Sequence, residues 1–294
     1  MTSRRAILAQ AGRLIDAIDT PAFAQALRRA IDALAPIDSL IVLAYRADRT
    51  PVVVHDALRP EERGVFFEHY MSGAYLLSPF YQACMSAGEA RFHLIAEIAP
   101  DDFYDSVFCK RYYAPAGIVD EGGYLLPQGA GGALIVSIGR VLIDRPFDAE
   151  ETAALGDFLP VLAAAARRHW PPDGRPGRPG RPGSPADIAQ PTIRAHLQAA
   201  FERFGTSLLT GREREVALLM LRGHSSKSAA RQLGIAPDTE RVHRRNIYEK
   251  LRISSQAELC SLFFEALAEA PESEPADPLA DPLADLLDRR PART

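Results

Sequence analysis

Between Arg222 and Arg252 stand eight bases: Arg222, Lys227, Arg231, Arg241, Arg244, Arg245, Lys250 and Arg252. Three acids, Asp238, Glu240 and Glu249, oppose them. The surplus of five positive charges lies in a chain whose formal net charge is −4. A local cationic excess of this kind is the electrostatic footprint of phosphate binding, and nucleic acid is the partner it suits. Arginine forks match guanine edges and phosphate oxygens, and an apolar side chain such as Val242 suits a thymine methyl group.

The other reactive side chains form no catalytic pattern. His55, His69 and His93 stand alone, without H-x-x-x-H or H-E-x-x-H spacing. Asp101-Asp102 could chelate a metal, but adjacent carboxylates at a helix start more often serve as caps. Ser72-Gly73 and Ser137 sit in no nucleophile elbow. Gly129, Gly131 and Gly132 join two expected strands, so they form a turn and not a phosphate-cradling loop. No enzyme, metal or cofactor is expected. Cys84, Cys109 and Cys260 are odd in number and lack C-x-x-C spacing, which argues for reduced thiols in a cytoplasm. Cys109-Lys110-Arg111 sets one thiol beside two cations, so redox sensing through Cys109 is an alternative function.

The elements that must position the cationic cluster are legible as helices. Thr210 is an N-cap and Glu213, three residues on, completes a capping box. Val216, Leu219 and Met220 form the apolar face of that helix, and Gly223 ends it. Ser225 or Ser226 caps a second helix carrying Ala229, Ala230 and Leu233, stopped by Gly234. A third opens at Pro237, suited to a first helical turn, and runs through Val242, Ile247 and Leu251. Two helices about a short glycine-containing turn form a helix-turn-helix, whose second helix enters the major groove.

Leu209-Thr210-Gly211-Arg212-Glu213-Arg214-Glu215-Val216, His224-Ser225-Ser226-Lys227, Val242-His243-Arg244-Arg245-Asn246-Ile247-Tyr248-Glu249-Lys250-Leu251 and Ser254-Ser255-Gln256-Ala257-Glu258-Leu259 together resemble the LuxR/FixJ-type DNA-binding domain. The resemblance runs from Leu209 to Leu267 without a gap. It implies an all-α four-helix domain that binds DNA as a dimer, often through the fourth helix. It also implies that Thr239, Arg241, Val242 and Arg245 face bases and phosphates, and that Lys227 meets a phosphate; Arg244 and Lys250 are taken into the same DNA-binding set. The implied partners are double-stranded operator DNA, a second copy of the chain and, for an activator, RNA polymerase. Three positions depart from the family. Ala236 replaces a serine N-cap, at a cost of about 1 kcal/mol. Ala229 replaces isoleucine and Glu240 replaces valine at inward-facing positions, so the helix pair is expected to be underpacked or shifted.

Upstream, Ile7, Leu14, Ile15 and Ile18 fit one helical face, and Phe23, Leu27, Ile31 and Leu34 a second. Ser39–Tyr45 and Val52–Val54 read as a hairpin, and Gly123–Leu126 and Ala133–Arg140 as two more strands. Arg59–Met85 is aromatic-rich and helical, broken at Pro79. Ala149–His169 is a long apolar helix. Helices flanking a mostly antiparallel sheet make an α-β-α sandwich, the layout of PAS- and GAF-like sensor domains. A phosphorylated receiver is rejected, because the chain opens with two helices.

The stretch Leu76-Leu77-Ser78-Pro79-Phe80-Tyr81 resembles the Asp-Pro region of autoinducer-binding domains, with Ser78 in place of the aspartate that accepts the ligand amide proton. Without gaps, His69 falls at the family's tyrosine and Val65 at its tryptophan. A neutral serine is a weaker acceptor. The expected signal is therefore a small molecule other than a standard acyl-homoserine lactone, with the lactone kept as an alternative. Phe66, His69, Tyr70, Ser78, Phe80, Tyr81 and Asp120 are the candidate ligand residues. Aromatics beside a carboxylate suit a cation, although core aromatics and a solvated turn explain the same residues.

The chain has 294 residues, 47% of them hydrophobic, enough for two cores. Neither a membrane-spanning run nor a signal-peptide pattern is present in it, so a cytoplasmic protein is expected. Pro171–Ala186 reads PPDGRPGRPGRPGSPA, a linker reaching about 50 Å if extended. Its arginines also loosely resemble a minor-groove hook. The expected organisation is a sensor domain over 1–170, the linker over 171–186, a DNA-binding domain over 187–268, and a disordered acidic, proline-rich tail over 269–294 with at most a short helix at Leu283–Asp288. The whole reads as a homodimeric transcription regulator.

Overall fold

The computed structural model describes residues 4–46, 49–71, 74–106, 109–129, 132–171, 203–268 and 281–289. They divide into two compact units. The first is bounded by Met1–Phe66, Phe80–Ile98 and Ala116–Ala189; the second by Phe67–Pro79, Ala99–Pro115 and Gln190–Thr294. The linker, after Pro171, lies outside the described residues.

The first unit opens with α1 (Arg4–Asp16) and α2 (Phe23–Asp32), followed by β1 (Ser39–Arg46) and β2 (Arg49–Ala57). Then come α3 (Pro60–Val65), α4 (Pro79–Ser86), β3 (Arg91–Leu94) and α5 (Ile95–Ile98). After α6 (Ala114–Ala116), whose first two residues cluster with the second unit, β4 (Asp120–Pro127), β5 (Gly132–Arg140) and α7 (Ala149–His169) complete it. The strands form one antiparallel sheet in the order β2-β1-β5-β4-β3. Period-two alternation gives the sheet two buried faces. Leu40, Val42, Tyr124, Leu126, Leu134, Val136 and Ile138 join the core made with α1, α2 and α7. On the other face Ile41, Leu43, Tyr45, Leu125 and Ile135 are buried too. There Phe80 of α4 lies against Gly123, where any Cβ would collide with its ring, and Tyr81 meets Tyr45 edge-on at 5.1 Å. The result is the expected α-β-α sandwich. Strand β3 carried no clear signal: it has four residues and only half-buried or exposed side chains.

Two polar groups brace the turn from β5 into α7. Asp38 accepts hydrogen bonds from three successive backbone N–H groups, Val141, Leu142 and Ile143, at 2.8, 2.8 and 3.0 Å. Arg140 is wholly buried and donates to the carbonyls of Pro36 and Pro146 and to Glu151. Asp148 caps α7 in a box with Glu151, as its first turn requires.

The second unit holds α8 (Gly211–Leu221), α9 (Ser226–Leu233), α10 (Pro237–Leu251), α11 (Gln256–Ala268) and α12 (Pro282–Arg289). Two features bear on the expected organisation. Segments 67–79 and 99–115, expected within one domain over 1–170, cluster with this second unit. They are short helical turns rich in aromatics, such as the buried Tyr70, Tyr75, Phe103 and Tyr113, and their sequence does not say which core they join. In the tail, the short helix expected at Leu283–Asp288 is present as α12, packed on α11, with Leu283 and Leu286 buried. The buried Asp281 accepts hydrogen bonds from the Gly205 and Ser207 backbones and from the Ser207 hydroxyl. Those bonds and that apolar packing offset the ordering entropy that the composition alone would not recover. Among the described residues no helix is long and apolar enough to cross a membrane.

Candidate DNA interface and signal site

Local chemistry sets each helix of the second unit. Thr210 Oγ1 accepts from Glu213 N, while the Glu213 carboxylate accepts from Thr210 N at 2.8 Å. Lys250 Nζ donates to the same Glu213 oxygen at 2.6 Å, which ties α10 to α8. Burial pushes the Glu213 carboxyl pKa up, but the Lys250 and Thr210 hydrogen bonds outweigh it and hold it below the ordinary range. Ser225 caps α9 by accepting from Ser228 N, and Gly234, at φ 65°, ends it in the left-handed conformation that favours glycine. Pro237 opens α10, and Ala236 gives it no side-chain cap. The Ala236 backbone already has the extended conformation of an N-cap. Ala236→Ser is therefore expected to stabilise this unit by about 1 kcal/mol, read as a higher denaturant midpoint at unchanged slope.

The seven expected DNA-binding residues separate by direction. Lys227, Thr239, Arg241, Val242 and Arg245 are exposed, the last four on one face of α10. Arg241 pairs with Asp238 at 2.6 Å, and Arg245 lies 3.8 Å from Glu249. Both pairs are solvent-exposed, so they contribute little and exchange readily for phosphate. Arg244 and Lys250 differ from these five in their contacts. Arg244 turns inward to Glu240 Oε1 at 2.5 Å, to the His224 carbonyl at 2.8 Å and to Gln256 at 3.3 Å. Lys250 is engaged with Glu213. The Arg244 contacts follow from Glu240, which is fully buried and draws in a cation one helical turn away. Ala229 is likewise fully buried.

The candidate signal residues do not assemble as one set. Phe66, Phe80 and Tyr81 are buried in the first unit; Tyr70 and Ser78 are buried in the second, where Tyr70 meets the Tyr75 ring at 6.3 Å. The His69 side chain lies outside those described. Asp120 is structural: its carboxylate accepts from Phe147 N at 2.9 Å, anchoring the approach to α7. Its neighbour Glu121, outside the candidate ligand set, is placed differently. Strand alternation places it on the opposite sheet face, where it accepts from Ser137 Oγ at 2.5 Å. Burial, with a smaller push from the charge of Glu62, raises its pKa to about 7 against the Ser137 hydrogen bond. The strand expected over Gly123–Leu126 begins three residues earlier, at Asp120, so the sequence pattern did not assign Glu121 a face. Cys109 is buried, which leaves a sensing thiol little access to oxidant.

Residues 207–263 match bacterial regulatory proteins of the luxR family. Over 196 residues the chain is 30% identical to an HTH-type transcriptional regulator in the exeN 3′ region of Aeromonas salmonicida, an alignment covering 66% of this chain and 96% of that protein. The chain belongs to the luxR family of bacterial regulatory proteins. It is a DNA-binding transcriptional regulator. A further likeness is to the transcriptional regulatory protein UhpA of Escherichia coli, 44% identical over 57 residues, which are 19% of this chain and 29% of UhpA. Among solved structures, the VqsR LBD domain from Pseudomonas aeruginosa is 25% identical, covers 55% of this chain and 94% of its own, and superposes with a TM-score of 0.47.

Proposed function

We propose that this luxR-family regulator binds operator DNA as a homodimer through α10 and is controlled by a small molecule that presents an N–H donor to Glu121. The observation that carries the signal reading is the carboxyl of Glu121, half-buried beside Ser137 on the sheet face that also carries Phe80, Tyr81 and Tyr45. A carboxyl there accepts from a ligand amide or amine, and charge assistance strengthens the bond. Ser78 in place of aspartate argues against a lactone. Glu121 offers the amide proton of an acyl-homoserine lactone another acceptor, so lactones stand beside amines as the compounds to test. Dimerisation would set two α10 helices at half-sites about one DNA turn apart, and an activator of this build would also meet RNA polymerase.

The test is a thermal-shift screen of the full chain and of Glu121→Gln against acyl-homoserine lactones, primary amines and aromatic amides. A ligand bound only to the folded state raises the melting temperature. The expected result is a shift with an N–H-bearing compound that the variant loses. A shift of equal size in the variant overturns the assignment. The pH dependence is a second readout. Because the folded pKa of Glu121 is raised from 4.5 to about 7, the parent's stability falls as pH rises through that window. In Glu121→Gln that loss is absent.

A further inference from the structure

The turn between α8 and α9 is covered by a segment distant in sequence. Asp102 N–H donates to the Gly223 carbonyl at 3.1 Å. Gly223 sits at φ 90°, and a Cβ there would stand 3.2 Å from both Phe103 Cα and Ser106 Cβ. Beside it, the Asp101 carboxylate takes two hydrogen bonds from the cap of α9. Ser225 N–H donates to Oδ1 at 3.1 Å, and the Ser225 hydroxyl donates to Oδ2. All these residues belong to the second unit.

The place Asp101 occupies has the character of a phosphate site. The helix before a recognition helix crosses the DNA backbone, and N–H groups at a helix start hold phosphate oxygens. Lys227 is exposed on the first turn of α9. Arg222, Arg231 and Arg244 all bear electrostatically on the adjacent His224. Arg244 also ties this end of α9 to α10 through the His224 carbonyl, so the two helices present one surface. We propose that Asp101 is a built-in competitor for a DNA phosphate: its carboxylate holds the N-terminal end of α9, and tight DNA binding requires residues 100–106 to leave. The competition is strict because the Ser225 amide and hydroxyl have one proton each. Asp101 is ready for the role at neutral pH: burial raises its pKa, but the Ser225 hydrogen bonds outweigh burial and hold it below the ordinary carboxylate range.

Phosphate binding is independent of base sequence, so a random-sequence duplex serves as the probe. Fluorescence anisotropy would compare the full chain with Asp101→Asn at several salt concentrations. Removing a charge-assisted competitor is expected to raise duplex affinity about tenfold. The plot of log affinity against log salt should steepen by about one unit as a phosphate takes the freed site. Unchanged or weaker binding by a variant that melts like the parent overturns the proposal. If Asp101→Asn melts lower, the parent chain decides through amide exchange with and without excess duplex. Faster exchange at residues 101–106 on DNA supports release, and unchanged or slower exchange there overturns it. Loss of all duplex binding by the parent would instead strike at the α10 assignment.

Discussion

Replacing Arg241 and Arg245 together with alanine is expected to abolish sequence-specific DNA binding while leaving the proposed homodimer assembled. Both guanidinium groups project from α10 beside Thr239 and Val242, and their only described ion pairs are exposed ones within the helix. Among the described residues they make no hydrogen bond or ion pair with another helix. A bidentate arginine bond to a base contributes about 1–3 kcal/mol of discrimination, so removing two weakens specific binding at least about thirtyfold. Where either arginine meets phosphate instead, the salt dependence falls by about one unit for each phosphate no longer neutralised. The preferred site would first be selected from a random duplex pool with the parent chain, then titrated with the double variant, with sedimentation reporting the dimer. Sequence-specific binding retained by the double variant removes these residues from the interface. Arg244→Ala serves as the contrast. It strands the fully buried Glu240, so its first effect is a lower melting temperature.

Arg140→Met is expected to destabilise the sheet unit by about 3–5 kcal/mol. Arg140 has no exposed surface. Its three nitrogens donate to Pro36 O, Pro146 O and Glu151 at 3.0, 2.8 and 2.8 Å, and its guanidinium lies 4.1 Å from the Phe147 ring centroid. Methionine fills part of the volume but leaves two carbonyls and a carboxylate oxygen without that donor. Arg140→Lys should fall between, because a single ammonium cannot reproduce the fork. Calorimetry should show a drop of roughly 10 °C in the transition of this unit; a change within a degree or two contradicts the account. The same cluster sets an acid limit. Hydrogen bonds from Arg145, and then from Arg140, hold the Glu151 pKa at about 2 against burial, well below its ordinary 4.5. Its stabilisation is therefore full above the unfolded value and is lost as pH falls from there toward 2. Arg145 contributes the larger share, so Arg140→Met should keep much of this acid dependence.

Both predictions concern arginines, and only one of the pair could be read from the chain. Arg241 and Arg245 belong to a helix whose caps, period and motif were all legible, and their spacing sets them on its outer face. Arg140 closes a strand and looked like any polar strand end. Its role depends on carbonyls at positions 36 and 146 that only the folded sheet brings to it. Arg244 and Lys250 show the limit within the helix itself. Their charge was legible, but not their contacts with a buried Glu240 and a capping Glu213.

The helix-turn-helix and its first three helices were determined by the sequence alone, because caps, glycine stops and apolar spacing act over three or four residues; the fourth helix and the family came with the resemblance of its motifs. The long helices and four of the five strands of the sandwich were also determined by the sequence alone. The tertiary structure alone decided that Asp120 anchors a turn while Glu121 faces the sheet's second layer. It alone joined residues 67–79 and 99–115 to the DNA-binding unit, seated the final helix, and placed Asp101 on the cap of α9. Each of those outcomes depends on which groups far apart in the chain compete for the same proton or the same buried surface. Local periodicity carries no record of that competition.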